Sequence, residues 1–391
     1  MTIPYGRQSI SEEDIQAVVD VLRSDYLTQG PAVPRFEEVV NEWCGSSYAT
    51  AVNSATSALH IACLALGVGS GDRVWTSAIT FVASANCAHY CGAHVDFVDV
   101  DNDTYNMSID HLEEKLVTAN KSGTLPKVVI PVHLAGQSCD MEAIKRLSNI
   151  YGFRVIEDAS HAIGATYKGA PVGRCDYSDV TVFSFHPVKI ITTGEGGVAT
   201  TNDQELAARM ALLRSHGVTR DPNQMFNPPH GPWYYEQITL GFNYRLTDIS
   251  AALGTSQIRR LAEFVDERHR LARRYNSLLV DHPVRIPWQH PDTHSSFHLY
   301  VVRPDLGRLQ ATHREIFERL RAQGILANLH YIPVYRHPYY ASKGYRRSEF
   351  PNAEEYYSEA ISLPIYPGLT DGEQDRVIAA LLEPRGYQTL F

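Results

Sequence analysis

From about residue 50 to residue 200 the chain alternates short apolar runs with stretches of helical periodicity, and no other feature restricts its fold so tightly. The predicted strands are Arg73–Thr76, His94–Val98, Lys127–Val132, Arg154–Glu157, Val180–Phe185 and Gly197–Thr200, separated by helical patterns such as Ser57–Leu66 and Met141–Ile150. Short β-rich runs joined through helices predict an α/β fold, a mostly parallel sheet with helices on both faces. Ligands of such sheets sit beyond the carboxyl ends of the strands, so the residues that follow each strand are the ones to read for chemistry.

The flanks carry different patterns. Ser11-x-x-Asp14 opens an amphipathic helix that runs to Leu22. A long helical pattern from Thr247 to about Leu279 leads to a second region with a predicted strand, Phe297–Val302, and predicted helices Thr312–Gln323, Asn352–Ile361 and Asp371–Leu382. A chain of 391 residues exceeds one compact core, so we expect a large domain over 1–255 and a smaller C-terminal α+β domain over 256–391. Two proline- and aromatic-rich stretches, Asn227–Tyr235 and Tyr331–Tyr340, read as ordered loops, because so many rings need packing partners.

A net charge of −9 argues against nucleic acid or an anionic membrane as partner, both of which need a basic face. No apolar run approaches the ~18–20 residues that span a bilayer, and no basic-then-apolar leader opens the sequence. The six cysteines lie in unrelated contexts that match neither a structural zinc site nor an iron–sulfur cluster. The expectation is a cytoplasmic protein with reduced thiols, without a metal, a membrane or a nucleic-acid partner.

Three segments carry chemistry. In Phe183-Ser-Phe-His-Pro-Val-Lys189, a strand breaks into a loop holding a lysine, followed by Gly194, Gly196 and Gly197. A loop lysine most often snorkels from the surface, but one desolvated against a ligand has a lowered pKa and can form an imine. The glycines are expected to give a bulky cofactor close access to the backbone. In Val155-Ile-Glu-Asp158-Ala-Ser-His161, an apolar strand ends in two carboxylates. Asp158 there either caps the next helix or holds a pyridine nitrogen through a charge-assisted hydrogen bond, and a lysine one strand–helix–strand excursion downstream favours the second role. In Asn53-Ser-Ala55-Thr56-Ser, small residues open a helix whose free N–H groups suit a phosphate. Ser184 is a second phosphate candidate, and Phe81, after the Arg73–Thr76 strand, could stack on a cofactor ring.

In order along the chain, NSATSALHIA, PVHLAG, EDASHAIGA, FSFHPVKIITTGEGG, RSHGVTRD and LGFNYRLTDISAALGTSQIRRL resemble the DegT/DnrJ/EryC1/StrS family of sugar aminotransferases, over almost the whole length. The resemblance implies the fold of aspartate aminotransferase, that is, fold type I of pyridoxal-phosphate enzymes, and pyridoxal 5′-phosphate as cofactor. It implies that Lys189 binds the cofactor covalently, that Asp158 faces its pyridine nitrogen and that Phe81 stacks on its ring. Ala55, Thr56 and Ser184 would contact its phosphate, together with Asn243 from the partner subunit of a homodimer with shared active sites.

Two positions depart from the family pattern. His161 stands where the family often has glutamine, near the cofactor's ring hydroxyl, and a protonatable ring there is expected to shift the pH profile. Ser250 stands where a glutamine is common shortly after Asn243-Tyr-Arg245.

The aromatic loops look most like members that aminate C4 of a UDP-linked 2-acetamido-2,6-dideoxy-4-keto-hexose in pseudaminic acid biosynthesis, with L-glutamate as donor. Tyr5, Thr28, Trp233, Tyr234, Arg245, His330 and Tyr331 are the candidate substrate residues, with Tyr235, Tyr335 and Arg220 as further faces and charges. The alternatives are a sister enzyme acting on a dTDP-linked sugar, a 3-keto sugar or the D-xylo epimer, a 3-dehydratase of the same fold, and a non-enzymatic relative. Lys189 speaks against the dehydratase, which has histidine there. Lys189 and Asp158 together speak against the non-enzymatic relative.

Overall fold

The apolar runs of the central region assemble into a seven-stranded sheet in the computed structural model, which describes residues 2–383. Its strands are β1 (Tyr48–Val52), β2 (Arg73–Ser77), β3 (His94–Val98), β4 (Val128–Ile130), β5 (Arg154–Asp158), β6 (Val180–Ser184) and β7 (Gly197–Thr201). In space the order is β1-β7-β6-β5-β4-β2-β3. The pairs β2/β3, β2/β4, β4/β5 and β5/β6 are parallel, whereas β7 runs antiparallel to both β6 and β1. The sheet is therefore mostly parallel with one mixed edge.

Strand alternation sends neighbouring residues to opposite helix layers. Val74, Val128, Ile156 and Val182 share a core with the helices Ala55–Ala65, Ala83–Tyr90 and Gln204–Arg214. Trp75, Val129 and Val155 share another with Ile109–Ser122 and Met141–Tyr151. A third cluster joins Phe183, Phe185 and Val198 to the helix Ala32–Cys44. A separate cluster gathers Leu271, Tyr275, Tyr300, Ile316, Leu363 and Val377 with Ile3, because the N-terminal strand Ile3–Pro4 pairs with Ile325–Leu326.

Several predicted boundaries shift. The pattern from Thr247 to Leu279 is two helices, Asp248–Gln257 and Leu261–Leu279, interrupted by a 3-10 turn at Ile258–Arg260. The strand placed at Phe297–Val302 is Tyr300–Pro304; Phe297 has a φ of 46°, outside extended backbone. The helix placed at Asn352–Ile361 ends at Glu359, and Ile361–Leu363 is a strand paired with Tyr300–Pro304. No described helix is long and apolar enough to cross a membrane.

Candidate active site

A cavity of about 830 Å³ opens beyond the carboxyl ends of β1, β2, β4, β5 and β6. Its walls include Asn53, Ala55 and Thr56 after β1, Phe81 after β2, Asp158 and His161 at the end of β5, and Ser184 and Lys189 at the end of β6. Tyr5, Asn328, His330 and Tyr331 close it from the other side.

The helix Ala55–Ala65 begins at Ser54, whose side chain accepts from the Ser57 N–H at 3.1 Å. The N–H groups of Ala55 and Thr56 belong to the first turn, where a helix supplies no partner of its own, so they remain for an anion. Gly197 is what allows the start of this helix to sit so near the lysine loop: a Cβ there would lie 2.4 Å from the Ala55 nitrogen. A Cβ on Gly196 would lie 2.2 Å from Thr193 Oγ1, while Gly194 takes a φ of 80°. The expectation that these glycines admit a cofactor is thus corrected for Gly196 and Gly197, which make room for the protein's own chain.

Asp158 is buried and both its oxygens are held. Oδ2 accepts from Ser84 Oγ at 2.6 Å, and Oδ1 accepts from the N–H of Ser160 at 3.1 Å and its Oγ at 2.6 Å. These hydroxyls stabilise a carboxylate and fix its orientation. Lys189 is half-buried at the cavity wall, and desolvation draws its pKa from 10.5 down to about 8, the Asp158 charge opposing the shift. Opposite them, the Phe81 ring is 57% exposed and offers an uncovered face to the cavity.

His161 is fixed as a neutral donor. The Ala135 N–H donates to its Nδ1 at 3.3 Å, which leaves the ring proton on Nε2, 3.0 Å from the Tyr331 hydroxyl. Desolvation, followed by the charge at Lys189, holds its pKa well below the ordinary imidazole value. The expected shift of the pH profile by His161 is therefore corrected: this ring does not charge near neutrality. His330 is likewise neutral: burial, followed by the Lys189 charge, pushes its pKa to about 3, and its ring pairs with Ser362 Oγ at 2.8 Å and with Asn328 at 3.4 Å.

Ten of the sequence-predicted residues thus meet at one cavity: Tyr5, Ala55, Thr56, Phe81, Asp158, His161, Ser184, Lys189, His330 and Tyr331. Others lie outside its walls. Asn243 and Thr28 are exposed, bridged to Ser215 and Thr247 respectively. Trp233 is exposed, Tyr234 donates to Glu236 at 2.7 Å, and Arg245 donates to Ser215 Oγ at 3.3 Å. Arg220 lies over the ring of exposed Tyr235. Tyr335 is a core residue, stacked on Phe350 with its hydroxyl bound to Glu354, so it has no face for a sugar. Sequence reasoning missed Ser84, Ser160 and Asn328. Ser160 had a signal, since a serine two residues after an aspartate commonly closes a turn on it; Ser84 had none.

The residues fit pyridoxal phosphate: a low-pKa amine, a doubly braced buried carboxylate, free N–H groups at a helix start and an uncovered aromatic face surround one cavity. The sequence profile of the DegT/DnrJ/EryC1/StrS aminotransferase family matches residues 8–382. The chain is 39% identical over 382 residues to the spore coat polysaccharide biosynthesis protein SpsC of Bacillus subtilis, covering 97% of this chain and 96% of that protein. A protein of Methanocaldococcus jannaschii, MJ1066, is 38% identical over 381 residues, again covering 97% and 96%.

Among solved structures, Helicobacter pylori PseC, an aminotransferase involved in the biosynthesis of pseudoaminic acid, superposes with a TM-score of 0.88 at 32% identity and 98% coverage of both chains. Spr1654 of Streptococcus pneumoniae in its PLP form gives 0.87 at 30% identity and 98% coverage of both. Its PMP form gives 0.87 at 31%, covering 98% of this chain and 97% of that one.

Proposed function

This chain belongs to the DegT/DnrJ/EryC1/StrS aminotransferase family, a pyridoxal-phosphate-dependent sugar aminotransferase, and we propose that it aminates C4 of a UDP-linked 4-keto-6-deoxy-2-acetamido-hexose with L-glutamate as donor. The products are a UDP-4-amino-4,6-dideoxy sugar and 2-oxoglutarate, and the preferred substrate is the L-arabino epimer used in pseudaminic acid biosynthesis. The observation that carries the transamination chemistry is the pairing of a desolvated Lys189 with a braced Asp158 in one cavity. Support for the sugar comes from the likeness to PseC. The comparable likeness to SpsC supports a second reading, the same chemistry on another nucleotide-linked keto-sugar.

When bound, the cofactor supplies an electron sink that makes the carbon bearing the donor's amino group acidic. The chain's residues do the rest. Lys189 Nζ, whose pKa is drawn down to about 8 by desolvation, would hold the cofactor and, once released from it, would serve as the acid–base group beside the donor carbon and the sugar's keto carbon. Asp158, oriented by Ser84 and Ser160, would face the pyridine nitrogen. Ala55, Thr56 and Ser184 would hold the phosphate, Phe81 would cover the ring, and His161 would stand by the ring hydroxyl. Tyr5, His330 and Tyr331 form the wall that keeps water from the sugar and sets its orientation.

The same reading divides the chain into a cofactor-carrying unit, 1–255, and a smaller unit, 256–391, and makes the working form a homodimer. Thr28, Trp233, Tyr234, Asn243 and Arg245, which stand outside the cavity of their own chain, then serve the partner's. A panel of UDP- and dTDP-linked 3-keto and 4-keto sugars, assayed with glutamate and with the new amine located by NMR, tests the substrate. Turnover is expected to be highest for the UDP-linked L-arabino 4-keto sugar. Preference for a dTDP-linked or a 3-keto substrate sinks this reading and leaves the aminotransferase chemistry standing.

A further inference from the structure

Behind the cavity, three of the six cysteines meet where the helices Ala55–Ala65 and Ala83–Tyr90 pack together. Buried Ala58, Ala62, Ala85 and Ala88 add little bulk to these helices, which lets the two backbones approach closely. Cys63 on the first helix lies 3.8 Å, sulfur to sulfur, from Cys87 on the second. Cys91, one turn beyond Cys87, donates as a thiol to the Cys87 carbonyl at 3.3 Å. Cys63 and Cys87 are fully buried, whereas Cys91 is partly accessible. The side chains of Cys63 and of His60, one turn apart on the same helix, both reach the Cys91 sulfur. No group of His, Cys, Asp and Glu among the described residues is arranged to hold a metal, so this cluster is a set of free thiols.

We propose that Cys91 is a modification site for hydrogen peroxide and that Cys63 resolves the oxidised sulfur as a disulfide between the two helices. Cys91 is the one member of the cluster that solvent reaches, it has two hydrogen-bonding partners for a thiolate, and a second thiol stands beside it. Those bonds, the one from Cys63 first, together with the charge of His60, draw its pKa below that of an ordinary thiol against the opposing effect of burial, which favours the reactive thiolate. In the first step the thiolate attacks peroxide, the O–O bond breaks, an S–O bond forms and hydroxide leaves; the sulfur gives up two electrons and peroxide takes them. In the second the Cys63 sulfur displaces the oxygen of the Cys91 sulfenic acid, giving the S–S bond and water. Closure asks the Cys63 sulfur, now 3.8 Å from that of Cys87, to turn towards the neighbouring Cys91 sulfur until the two lie about 2 Å apart.

The holoenzyme treated with a few equivalents of hydrogen peroxide, then unfolded and alkylated, tests this by peptide mass spectrometry. The wild type is expected to lose two of its six thiols, with the Cys63 and Cys91 peptides joined and released again by dithiothreitol. Cys63→Ser should accumulate a dimedone adduct on Cys91 and form no disulfide, and Cys91→Ser should keep all five of its thiols at the same dose. Retention of all six thiols by the wild type, a disulfide joining any other pair, or equal oxidation of Cys91→Ser overturns the proposal. Circular dichroism of both serine variants keeps a folding defect from being mistaken for a loss of reactivity.

Discussion

A lysine with a pKa near 8 is about one-tenth neutral at pH 7, whereas an ordinary lysine is neutral to less than a thousandth, so Lys189 is roughly 10² times more available as a nucleophile. Capture of pyridoxal phosphate by cofactor-free protein should therefore follow a midpoint near pH 8. The sign of the Asp158 contribution makes this sharper. Its negative charge favours the ammonium, so Asp158→Asn should move the midpoint to lower pH. A midpoint near 10, or a rise on removing Asp158, would contradict the arrangement, and stopped-flow absorbance across a pH series reads it directly. At His161 the expectation runs the other way. The ring stays neutral and offers Nε2–H, which a glutamine amide can also offer, so His161→Gln should keep the shape of the kcat/KM–pH profile and lose no more than about tenfold in kcat. A new ionisation, or the loss of one between pH 6 and 9, would show that the imidazole does titrate.

The elements were legible where one local pattern decided them. The parallel strands could be read because runs such as Val180-Thr-Val-Phe are apolar on both faces, and the residues at their carboxyl ends fell where such sheets bind ligands. What escaped depended on partners far away in sequence. Tyr48–Val52 became an edge strand only because β7 turned antiparallel beside it, and Ile361–Leu363 only because Tyr300–Pro304 lies next to it. The bracing of Asp158 by Ser84 joins residues 74 positions apart, which no spacing announces. The helix Ala32–Cys44 shows the same dependence energetically. Its preceding residue, Pro31, has no side-chain acceptor, and the cap comes from the buried Asp248, which accepts from the N–H groups of Gly30 at 2.7 Å and Ala32 at 2.8 Å. Asp248→Ala strands those donors and should cost about 2–4 kcal/mol, seen as a lower midpoint of urea unfolding, with Asp248→Asn losing less because one acceptor remains. Equal midpoints for wild type and Asp248→Ala would mean that water replaces the carboxylate there.

At the scale of the molecule, charge and exposure together bear on how many chains make one working site. Both halves of the proposed reaction bring anions to the cavity, a diphosphate on the sugar nucleotide and two carboxylates on glutamate, yet Lys189 is the one lysine or arginine among the described residues that line it. Arg220 and Arg245 lie on or beside a segment whose large apolar side chains face outward, with Phe226 82% exposed, Leu240 76% and Trp233 68%, and Asn243 is exposed in the same stretch. Side chains of that size gain roughly 2 kcal/mol or more each when covered, so the arrangement favours a second chain that buries them and receives the adjacent polar groups in its own cavity. Lys189→Ala and Asn243→Asp disable different halves of such a shared site. The first should abolish turnover. The second sets a negative charge where a phosphate is expected and should cut turnover by about 10² or more. Unfolded and refolded together in equal amounts, the two variants should form heterodimers in which one of the two sites combines an intact Lys189 with an intact Asn243, and activity should return towards a quarter of the wild-type level. Native mass spectrometry confirms that heterodimers form. If they form and turnover stays at the level of the separate variants, each site is built from a single chain, and the missing positive charge has to come from within it.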